Sequence, residues 1–514
     1  MKLIQRLGIL LFLVGLTVFT VMPFLGSYTL TKELVLTNTK DIHQERMSKI
    51  LAPMYGETYW SNFSFIAAFN DNFDSNNDVL KAESKWEEVI WDDYSFALAK
   101  SSISSPVRDN PWLFFGLSIG FAVLGGLFYN LPNHRDEPAG IKNNGIFHSS
   151  MKNRGWMGMV TGAYLIVFYI ILYWFPAYIV NQVWMVNPLS MILSGNSASQ
   201  WFLYGTIYTL AIAVMGVRMF RKYKGNRYQQ LRTASVMFFQ TAFAFLIPEI
   251  LVLLNQPYYD FKNIWPLDYD FFYDYQVETF ISAGGVGMFM LIWGILLISI
   301  AVPVFTYFFG KRWYCSWVCG CGGLAETVGD PYRQLSNKSL KAWKYERVIV
   351  HSVLVLAVVM TGLTIANYFS GFALLGNVTN QLHSFYGFAI GSVFAGVVGT
   401  GFYPFMGNRV WCRFGCPLAA YLGIVQRFKS RFRITTNGGQ CISCGNCSTY
   451  CEMGIDVRWY AQRGQQIVRA SCVGCGVCSA VCPRGVLKLE NGPEENRVNE
   501  MPIIIGNDSI KVKA

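Results

Sequence analysis

The sequence predicts a polytopic α-helical membrane protein that ends in a small soluble α+β domain. Three observations predict it. Of 514 residues, 53% are hydrophobic, 16% aromatic and only 14% charged, which is a membrane composition. The apolar residues gather into about eight stretches, each close to the roughly 20 residues that cross a bilayer. The thirteen cysteines fall into four tight clusters, two of them beyond residue 430, the only part that reads as a soluble fold.

The spans are read as residues 7–25, 111–129, 157–180, 201–220, 235–254, 284–309, 348–370 and 385–406. The first is too long for a signal-peptide core and no A-x-A-like site follows, so it reads as a retained anchor. Lys2 and Arg6 precede it. The second loop holds Arg135, Lys142, Lys152 and Arg154. The fourth holds Arg218, Arg221, Lys222, Lys224, Arg227 and Arg232. The sixth holds Lys311, Arg312, Arg333, Lys338, Lys341, Lys344 and Arg347. Intervening loops are neutral or acidic. The positive-inside rule then puts both termini on the cytoplasmic side of a bacterial inner membrane. There the C-terminal cysteines stay reduced. The same topology accounts for the net charge of +11. No basic stripe with interleaved aromatics marks a nucleic-acid partner, and the expected surroundings are membrane lipid.

Four regions follow: an anchor (1–25), a periplasmic segment (26–110), a seven-span membrane domain (111–430) and a cytoplasmic domain (431–514). The periplasmic segment suits a small cap or a helical hairpin. Its run Asp-Asn-Phe-Asp-Ser-Asn-Asn-Asp at 71–78 lacks the glycine of an EF-hand and reads as an Asx-rich turn. A second outer stretch, 255–280, is rich in Tyr, Phe and Asp. It suits a docking surface for a periplasmic partner or an interfacial aromatic belt.

The last two cysteine clusters are near-copies. Cys441, Cys444, Cys447 and Cys451 form one C-x2-C-x2-C-x3-C run; Cys472, Cys475, Cys478 and Cys482, followed by Pro483, form the other. This is the bacterial ferredoxin spacing for [4Fe–4S] clusters. Two-residue gaps let three thiolates of one loop converge on three irons, and the fourth reaches over to the other cluster. Cys441, Cys444, Cys447 and Cys482 are expected on one cluster; Cys472, Cys475, Cys478 and Cys451 on the second. A single such run also suits zinc, but two runs twenty residues apart favour a paired iron–sulfur domain. Glu452 stands where the first run would carry proline, and its charge is expected to disfavour reduction of the nearby cluster. No C-x-x-C-H occurs, so no covalently attached haem is expected.

The other cysteines belong to an internal repeat. Gly310-Lys-Arg-Trp-Tyr-Cys315-Ser-Trp-Val-Cys319 matches Gly407-Asn-Arg-Val-Trp-Cys412-Arg-Phe-Gly-Cys416 where spans six and eight end. On a helix, i and i+4 share a face, so each C-x3-C pair can present two sulfurs together. Cys321 adds a further sulfur. The expectation is one redox or additional metal-binding unit. The alternative is small hydrophobic packing.

The stretch Trp411-Cys-Arg-Phe-Gly-Cys-Pro-Leu-Ala-Ala at a span end, followed by two ferredoxin runs, resembles the membrane polyferredoxins of the NosR and NapH types. The resemblance covers about residues 284–489. It implies cytoplasm-facing [4Fe–4S] centres with paired C-x3-C-P motifs, and electrons passed from the quinol pool or the cytoplasm to periplasmic reductases. The chain departs from the pattern in two places. Gly320 replaces the proline after Cys319, and no flavin-attachment motif occurs, the nearest approach being Thr161-Gly-Ala-Tyr.

Glu249, near the outer end of span five, is a candidate acceptor for a quinol proton. His351 and His383 lie at opposite depths and cannot share an iron, so no membrane haem is expected. Three functions remain. The first is an electron-transfer component of an oxidoreductase system, with quinol as donor and a periplasmic or membrane-bound redox protein as partner; no catalytic residue is assigned. The second is a thiolate-based copper reduction and assembly factor. The third is a membrane redox sensor.

Overall fold

The predicted apolar runs form helices. A computed structural model describes residues 3–132, 155–491, 503–506 and 509–512. The basic residues of the second loop, His134, His148 and the final Ala514 lie outside the described residues. Eight helices are long and apolar enough to cross a membrane: Leu3–Phe24, Pro111–Asn130, Gly155–Trp174, Gln200–Lys222, Arg227–Leu253, Gly284–Phe309, Leu340–Phe369 and Val378–Gly401. They are spans one to eight. Span seven begins eight residues before the predicted start. Ser339 caps it by accepting from Ala342 N, and the Glu346 carboxylate in its second turn is neutralised by Arg413 at 3.0 Å. Charged turns extend the helix once their charges are paired.

The chain forms two compact units. The first comprises Met1–Pro132 and Val167–Val214. In it, Gly8 and Gly15 of span one lie against the backbone of span two, where a Cβ would sit 2.7 Å or less from Gly125 O and Ser118 O. Small residues let the two helices touch. The segment after span one is a cap. Strands β1 (Ser27–Thr29), β2 (Thr58–Tyr59) and β3 (Ile103–Ser104) pair antiparallel in the order β2-β1-β3. Short helices pack on them around Tyr28, Phe65, Phe69 and Leu98. Residues 71–78 are helical, not an Asx turn: they continue helix Asn62–Ala82, which Ser61 caps. The buried apolar side of that helix outweighs its run of Asn and Asp.

The second unit, Asn133–Ile166 and Met215–Ala514, holds every cysteine. Strands β4 (Arg433–Thr436) and β5 (Leu487–Glu490) pair antiparallel and close the ferredoxin-type domain. Between them the two cysteine runs fold alike. Gly445 and Gly476 occupy matching left-handed positions (φ 77° and 76°), each opening a one-turn helix. Only glycine takes that conformation without cost.

The 255–280 stretch divides: Tyr258 and Tyr275 are exposed, while the part between them packs inward around the buried Tyr259, Ile264 and Phe271. After span five it enters the bundle. Trp265 Nε1 donates to Thr361 Oγ1 of span seven at 3.0 Å, and Trp293 Nε1 of span six donates to Phe261 O at 3.0 Å. Tyr269 lies against Gly387 and Gly391 of span eight, and Ile264 is buried among the cysteine-bearing segments. These contacts lie about 12–20 Å along the spans from their near ends, at 1.5 Å per residue. Such irregular backbone at membrane depth survives only when protein encloses it. Local bonds satisfy part of it: Asn263 N to Asp260 O, Leu267 N and Asp268 N to Ile264 O, and Tyr273 N to Asp270 O.

Candidate metal centres

The two C-x3-C motifs fold alike, but not as the single helical face expected. In each, the second cysteine donates its backbone N–H five residues back, Cys319 to Tyr314 O at 2.8 Å and Cys416 to Trp411 O at 2.9 Å. The wide turn ends the first segment. The second cysteine then becomes the N-cap of the next helix, Gly320–Thr327 or Pro417–Lys429. The Cys416 sulfur accepts from Ala419 N of its helix at 3.4 Å, whereas Cys319 makes no such cap bond. A helix N-terminus favours thiolate. The glycines that open the repeat have a structural reason. Gly310 and Gly407 turn the chain at φ 64° and 92°, with neighbours too close for a Cβ.

The turns bring Cys315, Cys319, Cys321, Cys412 and Cys416 into one buried core, here termed the inner cysteine group. Cys319 and Cys321 hydrogen-bond, and each of these thiols lies in the electrostatic field of others in the group. The hydrogen bond from Cys321, against burial and with help from Gly322 N, Lys262 and Arg409, brings the Cys319 thiol down to about 6. Burial pushes Cys315 up to about 12. Five sulfurs in one buried core are a soft ligand set.

In the ferredoxin-type domain the fourth cysteine of each run crosses over. Cys441, Cys444, Cys447 and Cys482 line one small cavity. Cys478 lies in the electrostatic field of Cys475, Cys472 and Cys451, in that order, and then of Cys447. Burial pushes Cys447 up to about 12 and Cys472 to about 11. Cys444 is exposed, whereas Cys472 and Cys478 are buried. Among the described residues no three cysteine sulfurs lie within 4.8 Å of one another. A tetrahedral single ion with S bonds near 2.3 Å draws its sulfurs to about 3.8 Å. A cubane takes one thiolate on each of four irons and so holds its four sulfurs farther apart than a single ion does.

The segment after Cys315 meets the second run directly. Ser316 Oγ donates to Val473 O at 2.7 Å, beside Cys472. Gln229 Nε2 donates to Cys475 O, and Tyr228 Oη to Gly474 O, both at 2.7 Å. Arg409 spans the two regions. Its Nη1 lies 3.6 Å from Cys412 Sγ and 3.1 Å from Cys315 O, and its Nε lies 3.1 Å from Glu452 Oε1.

Glu452 is not a bare charge beside a cluster. It is fully buried, ion-paired to Arg333 at 2.7 Å as well as Arg409, and hydrogen-bonded to Glu326. Glu326 pairs with Arg232, Arg333 and Arg409, and Asp330 pairs with Lys222. Burial raises the Glu452 carboxyl. Burial also opposes ionisation of Glu326, but the three guanidiniums outweigh it and hold that carboxyl well below its usual range. Sequence reasoning missed this network because Arg232 and Arg333 sit in runs that mark topology. The signal was Glu326, Asp330 and Glu452, acids flanking cysteine motifs.

A cleft of about 700 Å³ opens where span five begins and span six ends, lined by Phe239, Phe309, Trp313 and Trp317 with Tyr228 and Arg312. Val318, next to Cys319, and Gly476, next to Cys475, also line it. Glu249 is elsewhere. It lies nine residues, about 13 Å of helix, beyond Gln240, whose side chain donates to Val318 O. The charge of Glu249 acts on Tyr258. His351 bonds Arg347 O, and His383 is held by Asp270 at 2.7 Å.

Comparison with known proteins agrees with these centres. A 4Fe-4S binding domain family matches residues 291–340 and 387–435, the two segments that carry the inner cysteine group. A 4Fe-4S dicluster domain family matches 412–487. The chain is similar to YccM of Escherichia coli (strain K12), whose name assigns it to electron transport, with 27% identity over 29% of this chain and 43% of that protein. It is also similar to the methylamine utilization ferredoxin-type protein MauN of Methylobacillus flagellatus, with 25% identity over 30% of this chain and 52% of that one. The chain thus spans about half the length of the curated relatives it matches. No solved structure matches it. The chain is an iron–sulfur protein with two 4Fe–4S-binding regions and a polytopic helical membrane part.

Proposed function

We propose that this protein carries electrons between a membrane donor and a redox partner, through a relay of three centres that runs from the ferredoxin-type domain into the membrane. The observation that carries this reading is the Ser316–Val473 hydrogen bond, which locks the Cys315 segment against the loop of Cys472. In order from the surface, the first centre uses Cys441, Cys444, Cys447 and Cys482. The second uses Cys472, Cys475, Cys478 and Cys451. The third is the inner cysteine group, read as an iron–sulfur site on Cys315, Cys319, Cys412 and Cys416, with Cys321 hydrogen-bonded to Cys319. Bound clusters supply one-electron carriers. The chain supplies thiolates, excludes water from the inner centre and neutralises charge around it through Arg409.

The exposed Cys444 side offers a partner protein access to the first centre. The aromatic cleft, bordered by residues next to Cys319 and Cys475, supports lipid-soluble quinol as the membrane donor. Function in the manner of the NapH type, without a flavin, and cytoplasmic termini belong to the same reading. The match of a 4Fe-4S binding domain family to the two segments that carry the inner group supports clusters over copper. Metal analysis with EPR on anaerobically purified protein tests the reading. Three iron–sulfur signals support it. Stoichiometric copper or zinc on the inner cysteine group overturns it.

A further inference from the structure

Among the described residues, Cys444 is the one exposed cysteine. The surface around it is built from two neighbouring segments. Helix Val457–Gln462 is tied to the Cys444 loop: Gln462 Nε2 donates to Ser443 Oγ at 2.7 Å, and Arg458 N donates to Ser448 Oγ at 2.8 Å. Arg458 and Arg484 line the same small cavity as Cys441, Cys444, Cys447 and Cys482. The Arg458 guanidinium lies 3.8 Å from where a Cβ on Gly445 would sit, next to Cys444. Arg463 lies over the Trp459 ring at 4.1 Å. Ile442, Arg458, Trp459, Arg463 and Arg484 are all exposed. Protein interfaces are enriched in Trp and Arg, and these dominate their binding energy. The charge is one-sided. Between Ile434 and Leu489 the basic residues are Arg458, Arg463, Arg469, Arg484 and Lys488, and the acids are Glu452 and Asp456. Glu452 is buried in its ion pairs. Asp456 accepts from Ser448 Oγ at 2.6 Å and caps helix Val457–Gln462. The rim of Cys444 is therefore basic.

We propose that this face of the ferredoxin-type domain docks a soluble acidic protein that carries a one-electron centre near its own surface. Carboxylates of the partner pair with Arg458, Arg463 and Arg484. Ile442 and Trp459 supply the apolar contact between those charges, and Cys444 marks the point of closest approach to the first centre. Opposite charges steer such an encounter and fix its orientation more than they add affinity, which suits a carrier that must leave after each transfer. One electron passes between the partner's centre and the first iron–sulfur centre. One is oxidised as the other is reduced, and no bond or proton is exchanged. The inference rests on the reading of this protein as an electron carrier and names the chemistry of its partner.

The test is stopped-flow mixing of the full, cluster-loaded chain in lipid nanodiscs with flavodoxin hydroquinone, an acidic one-electron donor whose semiquinone is read by its own absorbance. The second-order rate constant is expected to fall about tenfold or more between about 20 and 500 mM salt. Arg458→Glu/Arg484→Glu should lower it about tenfold at low salt, and Arg458→Lys/Arg484→Lys should keep it. Iron content and the EPR signals of the dithionite-reduced variants are the check on folding. A rate constant indifferent to salt and to charge reversal overturns the inference. So does one that is high in discs of neutral lipid and lost in discs with anionic lipid, because the basic face then lies on the membrane. Dithionite with methyl viologen separates the two levels of failure. Centres that the viologen reduces and flavodoxin does not strike this inference alone. Centres that exchange no electron with either strike the electron-carrier reading, and the inference falls with it.

Discussion

The hydroxyl of Ser316 donates to the backbone carbonyl of Val473 at 2.7 Å, so the residue after Cys315 is bonded to the residue after Cys472. Both partners are buried. Two cysteine-bearing segments that two spans separate in sequence are joined by one hydrogen bond. Ser316→Ala leaves that carbonyl without its donor, at a cost of about 1–3 kcal/mol. Electron transfer between the two centres is expected to slow several-fold, measured by freeze-quench EPR, while iron content is unchanged.

Restoring the ferredoxin proline is expected to harm this protein. Glu452→Pro removes the carboxylate that Arg333 and Arg409 share. Breaking a buried pair on one side costs about 3–5 kcal/mol. The variant should denature at markedly lower temperature, or fail to accumulate. Glu452→Gln, which keeps an acceptor oxygen, should fall between it and the parent.

The eight cysteines of the two runs are independent of the inner group. Cys412→Ser/Cys416→Ser should retain about eight irons and eight acid-labile sulfides. The parent should carry about four more of each. Equal iron in the two proteins would exclude a cluster at the inner cysteines.

Asp268 gives stability a pH dependence of known sign. Burial raises its carboxyl to about 7 in the folded protein, so the folded state binds more protons than the unfolded state between about pH 4 and 7. Stability from this group is present at low pH and is lost as pH rises through 7. Asp268→Asn should therefore raise the thermal midpoint at pH 8, and the gain should vanish near pH 4. A gain independent of pH would show that ionisation is not the cause.

Orientation is testable with fusions. A reporter after Ala514 should be active only in the cytoplasm, and one inserted near Asn76 only outside, since the basic loops alternate. A periplasmic C-terminus would reverse the relay.

The cysteine runs, the eight spans and the glycine–arginine–C-x3-C repeat were legible because each is a local pattern with a fixed spacing. What escaped was tertiary. Arg232 and Arg333 read as topology markers, and only the fold shows them paired with Glu326. The loop 257–273 reads as an outer aromatic stretch because no hydropathy period distinguishes a chain that lies on a bundle from one that enters it. Residues 71–78 read as a turn by composition, yet burial of Phe65, Ile66 and Phe69 on one side of Asn62–Ala82 decided for helix. The C-x3-C spacing gave the right neighbours for the wrong reason. A wide turn and a helix cap, rather than one helical face, bring the sulfurs together.

The burial of the Cys472 loop beneath Ser316, Gln229 and Gln426 has a consequence for biogenesis. In chain order this loop follows all eight apolar helices, so it is made after them. Once it seats against the membrane part, the Cys472 and Cys478 thiols are buried away from any donor of iron and sulfide, while Cys444 stays exposed. Loading must therefore precede seating. The membrane part waits for a filled C-terminal domain, and maturation of the deeper site is a timed event that sets when the chain becomes whole.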